Sequence, residues 1–324
     1  RQVNSGELRM TFRYSFVVLA YNQQDSIAEA MRAALAQDCP PIEVLISDDC
    51  STDCTFEIMQ EIAREYDGPH KLVLNRNPEN LGINRHVNLS VEMSNGEVII
   101  AASGDDISLP NRVAQVMGAF ESEGAMLVHS RAIVEDEQGN HAYHPYAKRA
   151  AFFRTTRVED VASARALYLG ATAAWHKALY HKYGPIPEAP VYEDLILGFR
   201  AALEGGVRLI DEPLVRYRIG GGITTTKTLV QNANEIRALR QQFLERTRNV
   251  LITRLADLEL YGASKYPGVH KKLKKRIAFV DLRLIANRDG AMATLKQGNS
   301  LLALSAVLAE LNAHRKAHKN LKSA

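Results

Sequence analysis

Four short apolar, β-branched runs alternate with amphipathic stretches through the first third of this chain, and no other feature restricts its fold as much. Tyr14 to Ala20 (YSFVVLA) reads as a buried strand. Gln24 to Gln37 has apolar residues at 27, 28, 30, 31, 34 and 35, a helical spacing, and Pro40-Pro41 ends it. Ile42 to Ser47 predicts a second strand, and Thr55 to Tyr66 a helix that Ser51-Thr52-Asp53 can cap. Lys71 to Asn75 predicts a third strand, Gly82 to Ser94 a helix closed by Asn95-Gly96, and Val98 to Ala102 a fourth strand. This repetition is the pattern of an α/β fold, an open and mostly parallel sheet with helices on both faces.

Such sheets bind ligands beyond the carboxyl ends of their strands. The polar residues gather there: Tyr21-Asn22 after the first strand, Asp48-Asp49 after the second, Asp105-Asp106 after the fourth. No G-x-G-x-x-G follows the first strand and no G-x-x-x-x-G-K occurs, so a dinucleotide fingerprint and a P-loop are both excluded. Phosphates must be handled otherwise, and carboxylates need a cation as intermediary.

Beyond Pro110 the pattern is mixed. Ala125 to Val134 predicts a strand, Val158 to Tyr183 a helical stretch weakened at Gly170, Leu195 to Leu203 a helix, and Arg208 to Ile219 a strand broken by Pro213. Residues 232–261, 268–288 and 299–320 read as helices, forming a C-terminal helical extension. The expected organisation is a remnant foreign to the native chain over 1–9 (Met10 would serve as initiator), a catalytic domain over 10–228, and a helical, basic region over 229–324. Within the catalytic domain, 10–110 and 111–228 form two halves.

The charge is unevenly spread. From His270 to Ala324 there are 12 Lys/Arg against 3 Asp/Glu, whereas the whole chain has 40 against 37. A basic tail of this kind suits packing on a sister subunit or a peripheral contact with anionic lipid. Nucleic acid is disfavoured, because aromatic platforms and recognised motifs are lacking. No apolar run approaches the ~18–20 residues that span a bilayer, and the expected location is cytoplasmic, at most peripheral on the membrane. The three cysteines, Cys39, Cys50 and Cys54, lack zinc spacing and read as reduced thiols.

Three acidic constellations could carry chemistry. Asp105-Asp106 in Ser103-Gly104-Asp105-Asp106 is either a metal–diphosphate site, since Mg²⁺ and Mn²⁺ favour carboxylate oxygens, or a capped turn before a helix near Pro110. Asp48-Asp49-Cys50-Ser51-Thr52-Asp53 is either an ordinary helix start or a nucleobase site, with a carboxylate accepting a base N–H and Tyr21 stacking on the ring. Glu193-Asp194 opens an amphipathic helix, where acids suit the helix dipole or serve as a general base. Trp175 and His176, in the helical stretch, are acceptor contacts or a packed Trp and a surface His, and His86 reads as a helix-surface residue.

Phe16 to Asp53, Asn77-Pro-Glu-Asn80-Leu-Gly82, Asn95-Gly96-Glu97, Gly104-Asp105-Asp106…Pro110, Glu193-Asp194 and Pro213-Leu-Val-Arg-Tyr217-Arg218 together resemble family 2 glycosyltransferases over residues 14–226. The resemblance implies a GT-A fold and metal-dependent, inverting transfer from a nucleotide-diphosphate sugar, UDP favoured. It implies a hydroxyl of a glycan or lipid-linked acceptor and a place in bacterial surface polysaccharide synthesis. It places Ala20, Tyr21, Asn22, Asp48, Asp49, Asp53, Arg85 and Asp105 around the nucleotide-sugar. Asp106, with Asp105, is then the ligand of Mn²⁺ or Mg²⁺, and Asp194 the base with Glu193 beside it. Three departures stand out: Cys50 replaces a usual glycine, Ser103 a usual aspartate, and Gly220 a frequent histidine. The alternatives are a sugar-1-phosphate nucleotidyltransferase, which would carry a Gly-rich basic loop after the first strand, and a degenerate binding or scaffold protein.

Overall fold

Strands β1 (Tyr14–Ala20), β2 (Glu43–Asp48), β3 (Lys71–Arg76) and β4 (Val98–Ser103) lie parallel in the order β3-β2-β1-β4 in the computed structural model of the protein. The structure describes residues 13–121, 124–136, 139–141, 150–219, 232–297 and 300–322. The register sets Ala20 beside Asp48, Asp48 beside Arg76, and Leu19 beside Ser103. The strands therefore end level with one another, and the loops that follow them share one rim.

Side chains alternate across the two faces of these strands. Phe16, Val18, Val44, Ile46, Ile100 and Ala102 point to one face, against α1 (Ile27–Leu35), α2 (Thr55–Glu65) and α4 (Arg112–Glu121). Helix α1 buries Ile27, Ala30, Met31, Ala34 and Leu35, a stripe at helical spacing. The opposite face carries Ser47, which meets His86 of α3 (Ile83–Met93). Helices thus cover both faces, as the alternation predicts.

The sheet continues as β4-β7-β6-β8-β5, with β5 (Ile107–Ser108), β6 (Leu127–Glu135), β7 (Ala174–His176) and β8 (Val207–Arg218). Strand β7 runs antiparallel to β4 and to β6. This corrects the helical stretch expected over 158–183. Only α5 (Val158–Val161) and α6 (Ala178–Tyr183) are α-helical there, with a 3₁₀ turn at Gly170–Thr172 between them. Without β7 the edge of β4 would leave backbone groups unpaired, and a ladder across Ala174–His176 satisfies them where local helix propensity would not. Strand β8 is unbroken at Pro213, which is exposed, so its missing N–H leaves no buried partner stranded.

The contacts divide the chain into two compact units that interleave in sequence. One comprises 1–144, 170–182 and 208–221, the other 145–169, 183–207 and 222–324. The second unit contains α7 (Glu193–Leu203), α8 (Ala233–Gly262), α9 (Pro267–Asp289), α10 (Ala291–Leu295) and α11 (Ser300–Lys322). The C-terminal helices are not a detached appendage: Arg254 of α8 is fully buried and donates to the carbonyls of Leu195, Ala162 and Ala164. Arg200 of α7 is paired with Asp257 of α8 at 3.0 Å.

Candidate active site

The rim of the first unit is built from three loops tied together by their own polar groups. The Asp49 N–H donates to Ala20 O at 2.9 Å, and the Gly104 N–H to Leu19 O at 2.9 Å. The Asn22 N–H donates to Ser51 Oγ, and Asn22 Oδ1 accepts from the Thr52 N–H, both at 2.8 Å. Asp53 accepts from the backbone of Gln24 and Thr55 and from the Thr55 hydroxyl. Burial works against its charge, but these hydrogen bonds outweigh it and hold the carboxyl below the ordinary range. Asp53 thus fastens the first loop and also satisfies the Thr55 N–H at the start of α2, while Cys54, at the N-cap position itself, makes no side-chain capping bond. Tyr21 is half-buried in the same loop.

Asp48 and Asp49 have different tasks. Asp48 is fully buried; it accepts from the Ser51 N–H at 3.0 Å and from the Ser51 hydroxyl, with Arg76 at 3.5 Å. It shapes its own turn. Asp49 accepts from Asn77 Nδ2 (2.8 Å) and the Leu81 N–H (2.9 Å) on Oδ1, and from the Gly82 N–H (2.9 Å) on Oδ2. An ionised carboxylate has about four acceptor positions, so Asp49 retains capacity on Oδ2. Gly82 has φ +72°, which explains a glycine there. Behind Asp49 runs a chain of contacts through Asn77, Asn75 and Ser47 to His86.

His86 is therefore not a surface residue. It is 3% exposed, and burial pulls its pKa down against the opposing charges of Asp49 and Asp48. It stands one turn before Ser90, on the side of α3 that buries Asn84, Val87 and Val91. Arg85, by contrast, is exposed and lies 3.7 Å from Glu79.

Asp105 and Asp106 are 8% and 4% exposed. Asp106 Oδ1 accepts from the Arg218 N–H at 3.0 Å, and Asp105 from the Ser103 hydroxyl. Ser103 thus supports Asp105. Burial and the neighbouring Asp105 charge push Asp106 well above the carboxylate range, more than Arg112 and Arg218 bring it down. Two adjacent carboxylates short of positive charge are a donor set suited to a hard divalent cation. Among the described residues no group of three His, Cys, Asp or Glu is placed to hold a metal. Gly104 permits the approach: a Cβ there would lie 2.4 Å from Gln23 Oε1 and 3.2 Å from Ala20 Cβ.

Sequence reasoning missed Arg112, which no local signal marks. It is fully buried, donates to Ser108 Oγ (2.9 Å) and Ala101 O (2.6 Å), and desolvation lowers its pKa to about 10. The side chain of Arg218 pairs with Glu29 of α1.

Glu193 and Asp194 belong to the second unit, at the start of α7. Asp194 is 7% exposed, and its Oδ1 accepts from the Leu195 N–H at 2.8 Å. Burial raises the Glu193 pKa, partly offset by Arg246, whose guanidinium lies 4.7 Å from the centre of the Tyr192 ring. Trp175 and His176 are on β7, opposite Ile99 and Val98 at the start of β4, so the structure does not bring them to the carboxyl-end rim. Gly220 and residues 1–9 lie outside the described residues.

Comparisons with known proteins agree with this architecture. Residues 15–183 match the sequence profile of glycosyl transferase family 2. EpsE of Bacillus subtilis is 28% identical over 39% of this chain and 45% of its own length. The Escherichia coli UDP-Glc:alpha-D-GlcNAc-diphosphoundecaprenol beta-1,3-glucosyltransferase WfaP is 25% identical over 38% of this chain and 47% of its own. The chain thus spans about half the length of these relatives. S. aureus TarS 1–349, solved with UDP-GlcNAc, superposes with a TM-score of 0.57 at 15% identity, over 94% of this chain and 92% of that one. The mannosyltransferase PcManGT from Pyrobaculum calidifontis, solved with GDP-Man and Mn²⁺, gives 0.53 at 18% identity, over 97% and 85%. A GT-A-like α/β sheet whose carboxyl-end loops carry the acidic pairs, together with a profile match over half its length, makes this chain a member of glycosyl transferase family 2.

Proposed function

We propose that the protein transfers a sugar from a nucleotide-diphosphate donor, UDP favoured, to a hydroxyl of a glycan or lipid-linked acceptor in bacterial polysaccharide synthesis. The observation that carries this reading is the level ending of β1, β2 and β4, which gathers Asp49, Asp105 and Asp106 on one rim. Asp49 accepts the N–H edge of the base on Oδ2, Tyr21 lies against the ring, and Ala20, Asn22, Asp48 and Asp53 form the wall. Arg85 assists with the nucleotide. Asp106, with Asp105, would hold Mn²⁺ or Mg²⁺, which when bound neutralises charge on the leaving diphosphate. Two protein carboxylates make a lean site, so metal binds weakly without donor; tight binding to the free protein by calorimetry would contradict this.

Asp194 takes the proton of the acceptor hydroxyl, with Glu193 orienting beside it. The acceptor oxygen forms a bond to the anomeric carbon as the bond to the diphosphate oxygen breaks. One displacement inverts the configuration. Trp175 and His176 have no part in this reading. The C-terminal region serves assembly or membrane approach.

The test is nucleotide-diphosphate release from UDP-, dTDP- and GDP-sugars with Mn²⁺ and candidate acceptors. Asp194→Asn should lose at least about 100-fold in transfer while still binding donor. Near-normal turnover by that variant would remove Asp194 from the role. A wild-type protein that binds a donor but never turns it over would favour the scaffold reading.

A further inference from the structure

Helix α11 presents Leu301, Leu304, Leu308 and Leu311 at 77%, 46%, 51% and 48% exposure, a row spaced by three, four and three residues. The opposite side of the helix buries Ala303, Ala306, Val307 and Glu310 within the second unit. Glu310 is 3% exposed and is gripped by Arg240 at 2.8 and 3.0 Å and by Arg283. These charge-assisted bonds fix the rotation of α11, so the leucine row cannot roll inward.

We propose that this row is the seam of a homodimer, in which the α11 helices of two copies pack leucine against leucine. The spacing is the a/d repeat of a coiled coil, a narrower stripe than a helix uses against a core or a lipid surface. Between Leu301 and Ala313 the only charged residue is Glu310, and it is buried. Lipid-facing helices instead ring a broad apolar face with Lys and Arg, which here begin only at Arg315 and Lys316. Two copies therefore meet across an uncharged face, and a seam of this spacing finds its complement in itself, as a two-fold interface requires. Only two heptads are needed, because α11 is already ordered by its buried side and pairing orders no new backbone. The assembly does not depend on the transfer reaction.

Sedimentation velocity of the full chain over a wide concentration range tests it. The wild type should form a dimer that dissociates on dilution. Leu304→Glu/Leu308→Glu should weaken self-association at least tenfold with an unchanged melting temperature, since both side chains are half exposed. Leu239→Glu, at a 37% exposed leucine of α8, should leave the dimer intact. A wild type that stays monomeric at several hundred micromolar overturns the proposal, as does a dimer that survives the double glutamate. Flotation on phosphatidylcholine–phosphatidylglycerol vesicles, lost in the double variant and without self-association, would assign the face to lipid instead.

Discussion

Cys50→Gly should stabilise this protein. Cys50 sits at φ +60°, where an L side chain crowds the following carbonyl. That conformation costs about 1–2 kcal/mol for a residue with a Cβ. Glycine adopts it freely but loses more chain entropy on folding, about 0.5–1 kcal/mol. The Cys50 thiol offers little in return: its nearest partner is the Pro78 carbonyl at 3.7 Å. The net gain is about 0.5–1 kcal/mol, or roughly 1 °C in melting temperature for a chain of this size. Urea melts of the wild type, Cys50→Gly and Cys50→Ala provide the assay. Alanine keeps the Cβ and should gain nothing. Asn22, at φ +51°, gives the opposite control: its Oδ1 holds the Thr52 N–H, so Asn22→Gly should lose about 1 kcal/mol. A Cys50→Gly variant no more stable than the wild type, or a Cys50→Ala variant that gains as much, would refute the strain argument.

Asp49→Asn keeps an oxygen for Asn77 and Leu81 but turns an NH₂ toward the Gly82 N–H. The cost should be about 1–3 kcal/mol by urea titration, with weaker donor binding by calorimetry; unchanged stability would mean the carboxylate does not organise the 77–82 loop. His129 is fully buried, and burial together with Arg131 lowers its pKa from 6.5 to about 4. The unfolded chain then binds the extra proton first, so stability present above pH 6.5 falls as the pH drops toward 4, by up to about 3 kcal/mol. His129→Leu should flatten that part of the melting-temperature profile, to which His86 adds in the same direction. Arg254→Met strands the carbonyls of Leu195, Ala162 and Ala164 and should cost about 3 kcal/mol or more, visible as loss of hydrogen-exchange protection in α7.

Strands β1, β2 and β4 were legible because strands buried on both faces read as continuous apolar runs, with few other folds open to them. Asp48-Asp49 and Asp105-Asp106 were legible as rim residues because they lie at the ends of such strands, whereas Glu193-Asp194 follows no strand and opens α7. Ala174–His176 was not legible. Its alanine-rich surroundings have helical spacing, and only the ladder to β4 and β6, at long sequence separation, makes it extended. His86 and Arg112 failed for a related reason. Whether a polar residue faces water or the sheet depends on where its helix docks, and a helix of mixed composition does not announce its inner side.

Net charge was the least reliable guide, because counting charges treats each as a surface group. Arg112, Arg200 and Arg254 are wholly buried, held by carbonyl oxygens, by Ser108 in the case of Arg112, and by Asp257 in the case of Arg200. Arg240 and Arg283 are engaged with Glu310. These residues fasten helices, and of the five only Arg283 belongs to the basic stretch over 270–324. The family match ends at residue 183, before Glu193-Asp194, yet α7 is tied by Arg200–Asp257 and by Arg254 to a helix farther along the chain. A functional boundary drawn at 228/229 would cut those ties. If Asp194 is the base, its position depends on arginine contacts with α8, a helix beyond the region that carries the family's sequence signature.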